Sequence, residues 1–100
     1  MPNYDVHFLP IAEEDLNEII DYILVDDPII ALSIYEKFND AFERLSEFPH
    51  MGTTPRDPQL ERLNYRIVLV ESFIVFYVFV NDTVEIRRIL NGKRKYDFLF

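Results

Sequence analysis

Half of the basic residues in this sequence lie within nine positions near its end: Arg87, Arg88, Lys93, Arg94 and Lys95. With Tyr96 beside them and Arg66 upstream, they are the one group of side chains whose types could carry chemistry. Converging guanidinium, ammonium and phenol groups can bind a phosphate or a carboxylate, and can stabilise charge during phosphoryl transfer. The same cations also have a plainer use: they can pair with Glu85, Glu61 and Glu71 across strands and blunt a sheet edge. The residue types allow both.

Other combinations are weaker. Glu13, Glu14, Asp15, Glu18 and Asp21 are numerous enough for a cation, but a hard cation needs converging oxygens. Their spacing spreads them along a helix, where they read as a solvated face. His7 and His50 stand alone, without zinc-ligand spacing. Gly52 and Gly92 are the two glycines, too few for a phosphate-cradling loop, and Ser33, Ser46 and Ser72 sit in no nucleophile motif. No cofactor or metal is expected. There is no cysteine, hence no disulfide and no thiolate site, which fits the cytosol. The opening MPNYDVHFLP is not a signal peptide, and no apolar run approaches the ~18 residues of a membrane span. The expectation is a cytoplasmic protein with no membrane contact.

The formal charge of −8 is unevenly spread. Residues 1–50 hold twelve acids and two bases, a balance of −10; residues 51–100 hold six acids and eight bases, a balance of +2. Such acidity argues against a broad phosphate-binding surface and leaves room for one local basic patch.

The elements that must position these residues are legible. One hundred residues make one compact domain, 1–100, and an apolar fraction of 49% is ample for its core. Tyr4 to Leu9 alternates as a strand does, and Pro10 ends it and opens a helix. Ala12, Leu16, Ile19, Ile20, Ile23 and Leu24 recur at helical spacing, predicting a helix over 11–25. Asp26-Asp27-Pro28 ends that helix, with Asp27 capping the next and Pro28 in its first turn. Ala31, Ile34 or Tyr35, Phe38, Phe42 and Leu45 line one side of this second helix, which should run to about Glu47. So short a turn makes the pair an antiparallel helical hairpin.

Phe48 to Leu60, with three prolines and a glycine, reads as a loop. Residues 65–70, 73–80 and 84–90 are β-branched and aromatic runs separated by two or three polar residues, predicting a three-stranded antiparallel meander. The unbroken run 73–80 should be the central strand, covered on both faces. Alternation places Val84, Ile86, Arg88 and Leu90 on one face of the last strand. Arg88 among apolar residues then needs a partner or a groove to receive it, and Arg66 could lie nearby. The expected class is α+β in the order β-α-α-β-β-β, a helical hairpin packed on an antiparallel sheet.

Several stretches resemble the RelE/ParE toxin superfamily. They are Asp15-Leu16 with Ile19, Tyr22-Ile23, Asp27-Pro28 and Ala31; Leu45 followed by Phe48-Pro49-His50-Met51-Gly52; Tyr65-Arg66; Ile74 to Tyr77; Val84 to Leu90; and Gly92-Lys93-Arg94 with Tyr96. Their order spans nearly the whole chain, and the long hairpin with Asp27-Pro28 is more similar to the ParE branch. The resemblance implies the toxin of a type II toxin–antitoxin system, inhibited by an antitoxin whose C-terminal segment wraps it in a hetero-oligomer. RelE-like members cut mRNA on the ribosome; ParE-like members act on DNA gyrase. Arg66 and Arg94 match places where RelE-like nucleases have a functional base, so Arg66, Arg94 and Tyr96 are the catalytic candidates of a nuclease. Val68 and Ile74 depart from positions that tend to be basic there, and Phe100 stands near the place of a catalytic tyrosine. These departures point to gyrase. A ribosome-dependent mRNA endonuclease, or a weakly toxic antitoxin-binding module, is the alternative. Arg66, Arg88, Lys93, Arg94 and Tyr96 are the residues expected to meet target or antitoxin.

Overall fold

The computed structural model describes residues 3–92. Lys93, Arg94, Tyr96 and Phe100 lie outside the described residues. The elements are β1 (Asp5–Phe8), α1 (Pro10–Asp26), α2 (Pro28–Glu47), α3 (Pro58–Arg62), β2 (Arg66–Val70), β3 (Phe73–Val80) and β4 (Thr83–Asn91).

The two long helices begin where proline can open them. Pro10 and Pro28 each stand in a first turn, where a missing N–H leaves no bond unmade. Asp27 separates the helices in extended conformation, and its Oδ1 accepts from the N–H groups of Ile29 at 3.1 Å and Ile30 at 3.2 Å. Asp27→Ala should therefore cost about 1 kcal/mol. Pro28→Gly should cost a similar ~1 kcal/mol by freeing the unfolded chain. Thermal melting of the two variants should show a drop of several degrees each, with the folded spectrum unchanged.

β2, β3 and β4 form the expected meander through two-residue turns. Asn81 and Asp82 both take positive φ, 52° and 57°, which their short polar side chains tolerate and which suits a tight hairpin. The sheet runs β1-β4-β3-β2 and is mixed, because β1 lies parallel to β4 at one edge. An antiparallel sheet throughout was the expectation. The connection from β1 back to β4 passes through both helices, and a crossover of that kind permits the parallel sense.

β3 is the central strand of the meander, buried at four consecutive positions. Val75 and Tyr77 join Ala12, Leu16, Phe38, Phe42 and Leu45 in the core under the helices. Phe76 and Val78 point the other way, into a second cluster with Leu60, Tyr65 and Leu90. That second cluster needs a cover, and α3 supplies it through fully buried Leu60. The stretch read as loop thus contains a helical turn, capped by Asp57, whose Oδ1 accepts from Gln59 at 2.8 Å. Proline-rich composition hid it, although Asp57-Pro58 repeats the Asp-Pro start of α2.

On the hairpin, Ile34 is half-buried and Tyr35 exposed, so Ile34 is the core residue of that pair. Leu24, expected on the core side of α1, is exposed.

Candidate functional site

The last strand does not keep the alternation its sequence suggests. Between Phe76 and Tyr77 the register with β4 shifts: Tyr77 faces Ile86 and Phe76 faces Arg88, so Arg87 is an extra residue. Val84 and Ile86 lie in the core under the helices, and beyond the bulge it is Ile89 that returns to it, while Leu90 joins the opposite cluster. One inserted residue reverses the phase of every side chain after it.

The bulge exposes the Ile89 N–H, and α1 answers it. Asp15 Oδ2 accepts from Ile89 N at 3.0 Å and from Arg88 Nε at 2.8 Å, and Oδ1 accepts from Arg88 Nη2 at 3.1 Å. A two-pronged guanidinium–carboxylate pair of this kind is both directional and strong. Donating these hydrogen bonds to Asp15 raises the Arg88 pKa further, so the guanidinium stays charged. Asp15 is therefore not part of the solvated helix face read from the acidic spacing; it locks α1 onto the bulge. Arg88 does have the partner that its apolar neighbours demanded.

Arg66 is placed differently. Its Nη1 donates to the carbonyls of Gly52 at 2.9 Å and His50 at 3.2 Å. The same loop is gripped by Tyr77, whose hydroxyl donates to the Pro49 carbonyl at 2.8 Å and accepts from Gly52 N–H at 3.0 Å. Burial pushes the Tyr77 phenol above its ordinary range, partly offset by the Gly52 bond and the Arg66 charge. Thr53 and Ile67 then exchange both backbone bonds. Arg66 also borders a cleft of about 240 Å³ with His50, Asn64, Tyr65 and Phe79, where the His50 ring meets the edge of Phe79 at 5.2 Å.

The two candidate arginines are thus held by different elements, Arg88 by α1 and Arg66 by the loop 49–53. Arg87 lies over the Tyr65 ring at 5.3 Å and donates to Glu85 on its own strand. Of the acidic partners anticipated for the basic residues, Glu85 is used in this way, whereas Glu71 pairs with Lys37 of α2.

Sequence reasoning missed the turn end of the hairpin. Tyr22 (79% exposed), Val25 (86%), Ile29 (81%) and Leu32 (58%) leave an apolar surface there, edged by Asp21, Asp26 and Glu36. Large apolar side chains left exposed close together in sequence are candidates for contact with another macromolecule. The signal was present in the sequence: apolar residues run all round the helix ends, beyond what one core face needs. Among the described residues no three histidine, aspartate or glutamate groups converge as a metal site would. No helix among them is long and apolar enough to cross a membrane.

A helical hairpin and a third helical turn on opposite faces of a four-stranded sheet, with the bulge clamped from α1, place the chain in the RelE/ParE-like α+β class. The sequence profile described as "ParE toxin of type II toxin-antitoxin system, parDE" matches residues 6–96, and the chain belongs to this ParE toxin family. It is the toxin type of a type II toxin–antitoxin system. Among solved structures it is similar to the chromosomal ParDE system from P. aeruginosa, with 18% identity, a TM-score of 0.74, and coverage of 93% of this chain and 100% of that one. It is also similar to the RelBE2 toxin–antitoxin complex from Mycobacterium tuberculosis, with 23% identity, a TM-score of 0.60, and coverage of 89% and 98%. At such identities the likeness is one of fold. No protein of curated function matches the sequence.

Proposed function

We propose that this toxin arrests growth by engaging DNA gyrase in the cytoplasm, and that a cognate antitoxin restrains it by wrapping the same domain. The observation that carries this reading is the commitment of Arg66 and Arg88 to internal partners. Arg66 is turned to the carbonyls of His50 and Gly52, and Arg88 to Asp15. A nuclease needs its cations aimed at the scissile phosphate, with an acid and a base in reach. Val68 and Ile74, on paired strands, supply neither. The apolar turn end of the hairpin instead suits contact with a protein. Lys93, Arg94 and Tyr96 would contribute basic and aromatic groups to the contact with target or antitoxin, and Arg88 would hold β4.

One observation favours the second reading, a ribosome-dependent mRNA endonuclease: Arg66 borders a cleft with His50 and Tyr65. Induced expression separates the two. Under the gyrase reading, cells filament and signal DNA damage while bulk mRNA stays intact. Under the nuclease reading, cuts appear within translated codons, and Arg66→Ala or Arg94→Ala lowers them by about 10²–10³. We expect intact mRNA; ribosome-dependent cleavage by the purified protein would overturn the gyrase assignment. Growth without arrest would leave a weakly toxic antitoxin-binding module.

A further inference from the structure

β4 ends on Asn91, and Gly92 follows it. Of the six asparagines in the sequence, Asn91 alone precedes a glycine. Attack of the Gly92 nitrogen on the Asn91 side-chain carbonyl carbon closes a five-membered ring, and glycine has no Cβ to crowd that approach. The fold explains why glycine stands here. Gly92 N–H donates to the Ser72 carbonyl at 2.8 Å, and a Cβ on Gly92 would come within 3.0 Å of the same oxygen. Closing the β3–β4 ladder at this end thus favours glycine, and that choice creates the dipeptide most open to ring closure. The same bond restrains it. The nitrogen must give up the proton that Ser72 holds. Asn91 is also paired with Phe73, and an extended backbone must rotate about its Cα–C bond before the nitrogen faces Cγ.

We propose that Asn91-Gly92 is a self-modification site, a deamidation gated by the end of β4. The Gly92 nitrogen bonds to Asn91 Cγ, its proton leaves with the side-chain NH2 as ammonia, and the cyclic imide takes up one water. Opening at the side-chain carbonyl gives aspartate. Opening at the main-chain carbonyl gives isoaspartate, in which the chain runs through Cβ and Cγ. Nothing is oxidised or reduced, and water is the sole co-reactant, reaching two exposed residues. The strand end must open before the ring can close, so the rate follows local opening. Either product acts back on the fold. Asn91 lines a groove of about 430 Å³ with Asp15, Glu18, Ile19 and Ile89. Aspartate adds a carboxylate to a groove that already holds two, and like charges there repel. Isoaspartate lengthens the main chain by one carbon, so the Phe73–Asn91 pairing and the Gly92–Ser72 bond cannot both be kept. Conversion therefore loosens β4 beside Ile89, whose N–H Asp15 clamps.

The full chain is incubated at growth temperature and mildly alkaline pH, folded or in denaturant, then digested. Mass spectrometry reads each asparagine peptide, and enzymatic methyl transfer reads isoaspartate. Conversion should concentrate at Asn91 and run at least about tenfold slower in the folded protein, the ratio an opening step imposes. Asp15→Ala, kept below its melting temperature, frees the Ile89 N–H and should raise the folded rate about threefold or more while leaving the denatured rate unchanged. Asn91→Gln should abolish conversion, because its ring needs a further atom. Denatured protein that leaves Asn91 intact, or converts Asn39 or Asn81 faster, would overturn the site. Equal folded and denatured rates, or an Asp15→Ala rate equal to wild type, would overturn the gate. Aged wild type should melt below fresh protein, whereas Asn91→Gln aged alongside should not change. Identical melting of aged and fresh wild type would overturn the effect on the fold.

Discussion

Replacing Asp15 by alanine should lower the melting temperature by roughly 10–20 °C. The carboxylate closes three hydrogen bonds at once, two with Arg88 and one with the bulged Ile89 N–H. Its removal leaves a guanidinium with 17% side-chain exposure without its carboxylate, beside an amide that the β3–β4 ladder does not serve. Breaking a buried pair from one side typically costs about 3–5 kcal/mol, and the residual exposure of both groups puts this case at the lower end or just below, about 2–3 kcal/mol. In a domain of this size each kcal/mol moves melting by about 4–8 °C. Asp15→Asn keeps an acceptor for Ile89 and loses the charge, so it should fall between wild type and alanine. The double variant Asp15→Leu with Arg88→Met should recover part of the loss, because the pair then leaves together and no charge is stranded. A single melting series over these four proteins checks the ordering. Asp15→Ala melting within about 2 °C of wild type would show that the clamp contributes no net stability.

Gly52→Ala should be nearly as costly, about 2–3 kcal/mol. A Cβ there would meet the Tyr77 hydroxyl at 2.5 Å, the Ile67 carbonyl oxygen at 2.8 Å and Tyr77 Cε1 at 2.8 Å. Backbone and a fully buried ring cannot yield easily, so the loop must lift and break its bonds to Tyr77. Tyr77→Phe removes the hydroxyl instead, stranding the Gly52 N–H and the Pro49 carbonyl at a further cost of about 1–3 kcal/mol. Because both substitutions act on one contact, the double variant should lose less than the sum. Chemical denaturation of the four proteins measures the coupling, and strict additivity would mean that the two residues do not meet. The phenol adds a pH dependence. Its folded pKa is raised by burial, so the hydroxyl's contribution is complete below the unfolded value near 10 and falls as pH rises through the folded value. Wild type should therefore destabilise more steeply above pH 10 than Tyr77→Phe.

What the sequence determined by itself was everything set by local periodicity and chain punctuation. Pro10 and Asp27-Pro28 placed the starts of both long helices within a residue, because a proline in a first turn and an aspartate before it act through their own backbone. The unbroken run 73–80 declared a strand buried on two faces, and the short polar breaks around it left antiparallel pairing as the one connection they could make. The resemblance drawn from ordered short motifs reached the family for the same reason: those motifs are the punctuation and core positions of the fold.

Tertiary structure alone decided the rest. A bulge depends on what lies across the ladder, so the strict alternation of Val84, Ile86, Arg88 and Leu90 could not reveal that Arg87 is an extra residue between the Tyr77–Ile86 and Phe76–Arg88 pairs. The fate of Asp15 followed from that bulge: among five acids at helical spacing, the one 73 residues from Arg88 became its partner because α1 crosses β4 there. Arg66 likewise carries no local sign that its side chain will hold the loop at Gly52. β1 read as a strand, yet its parallel pairing and its open outer edge came from a crossover through both helices, a long-range arrangement that no four-residue pattern encodes.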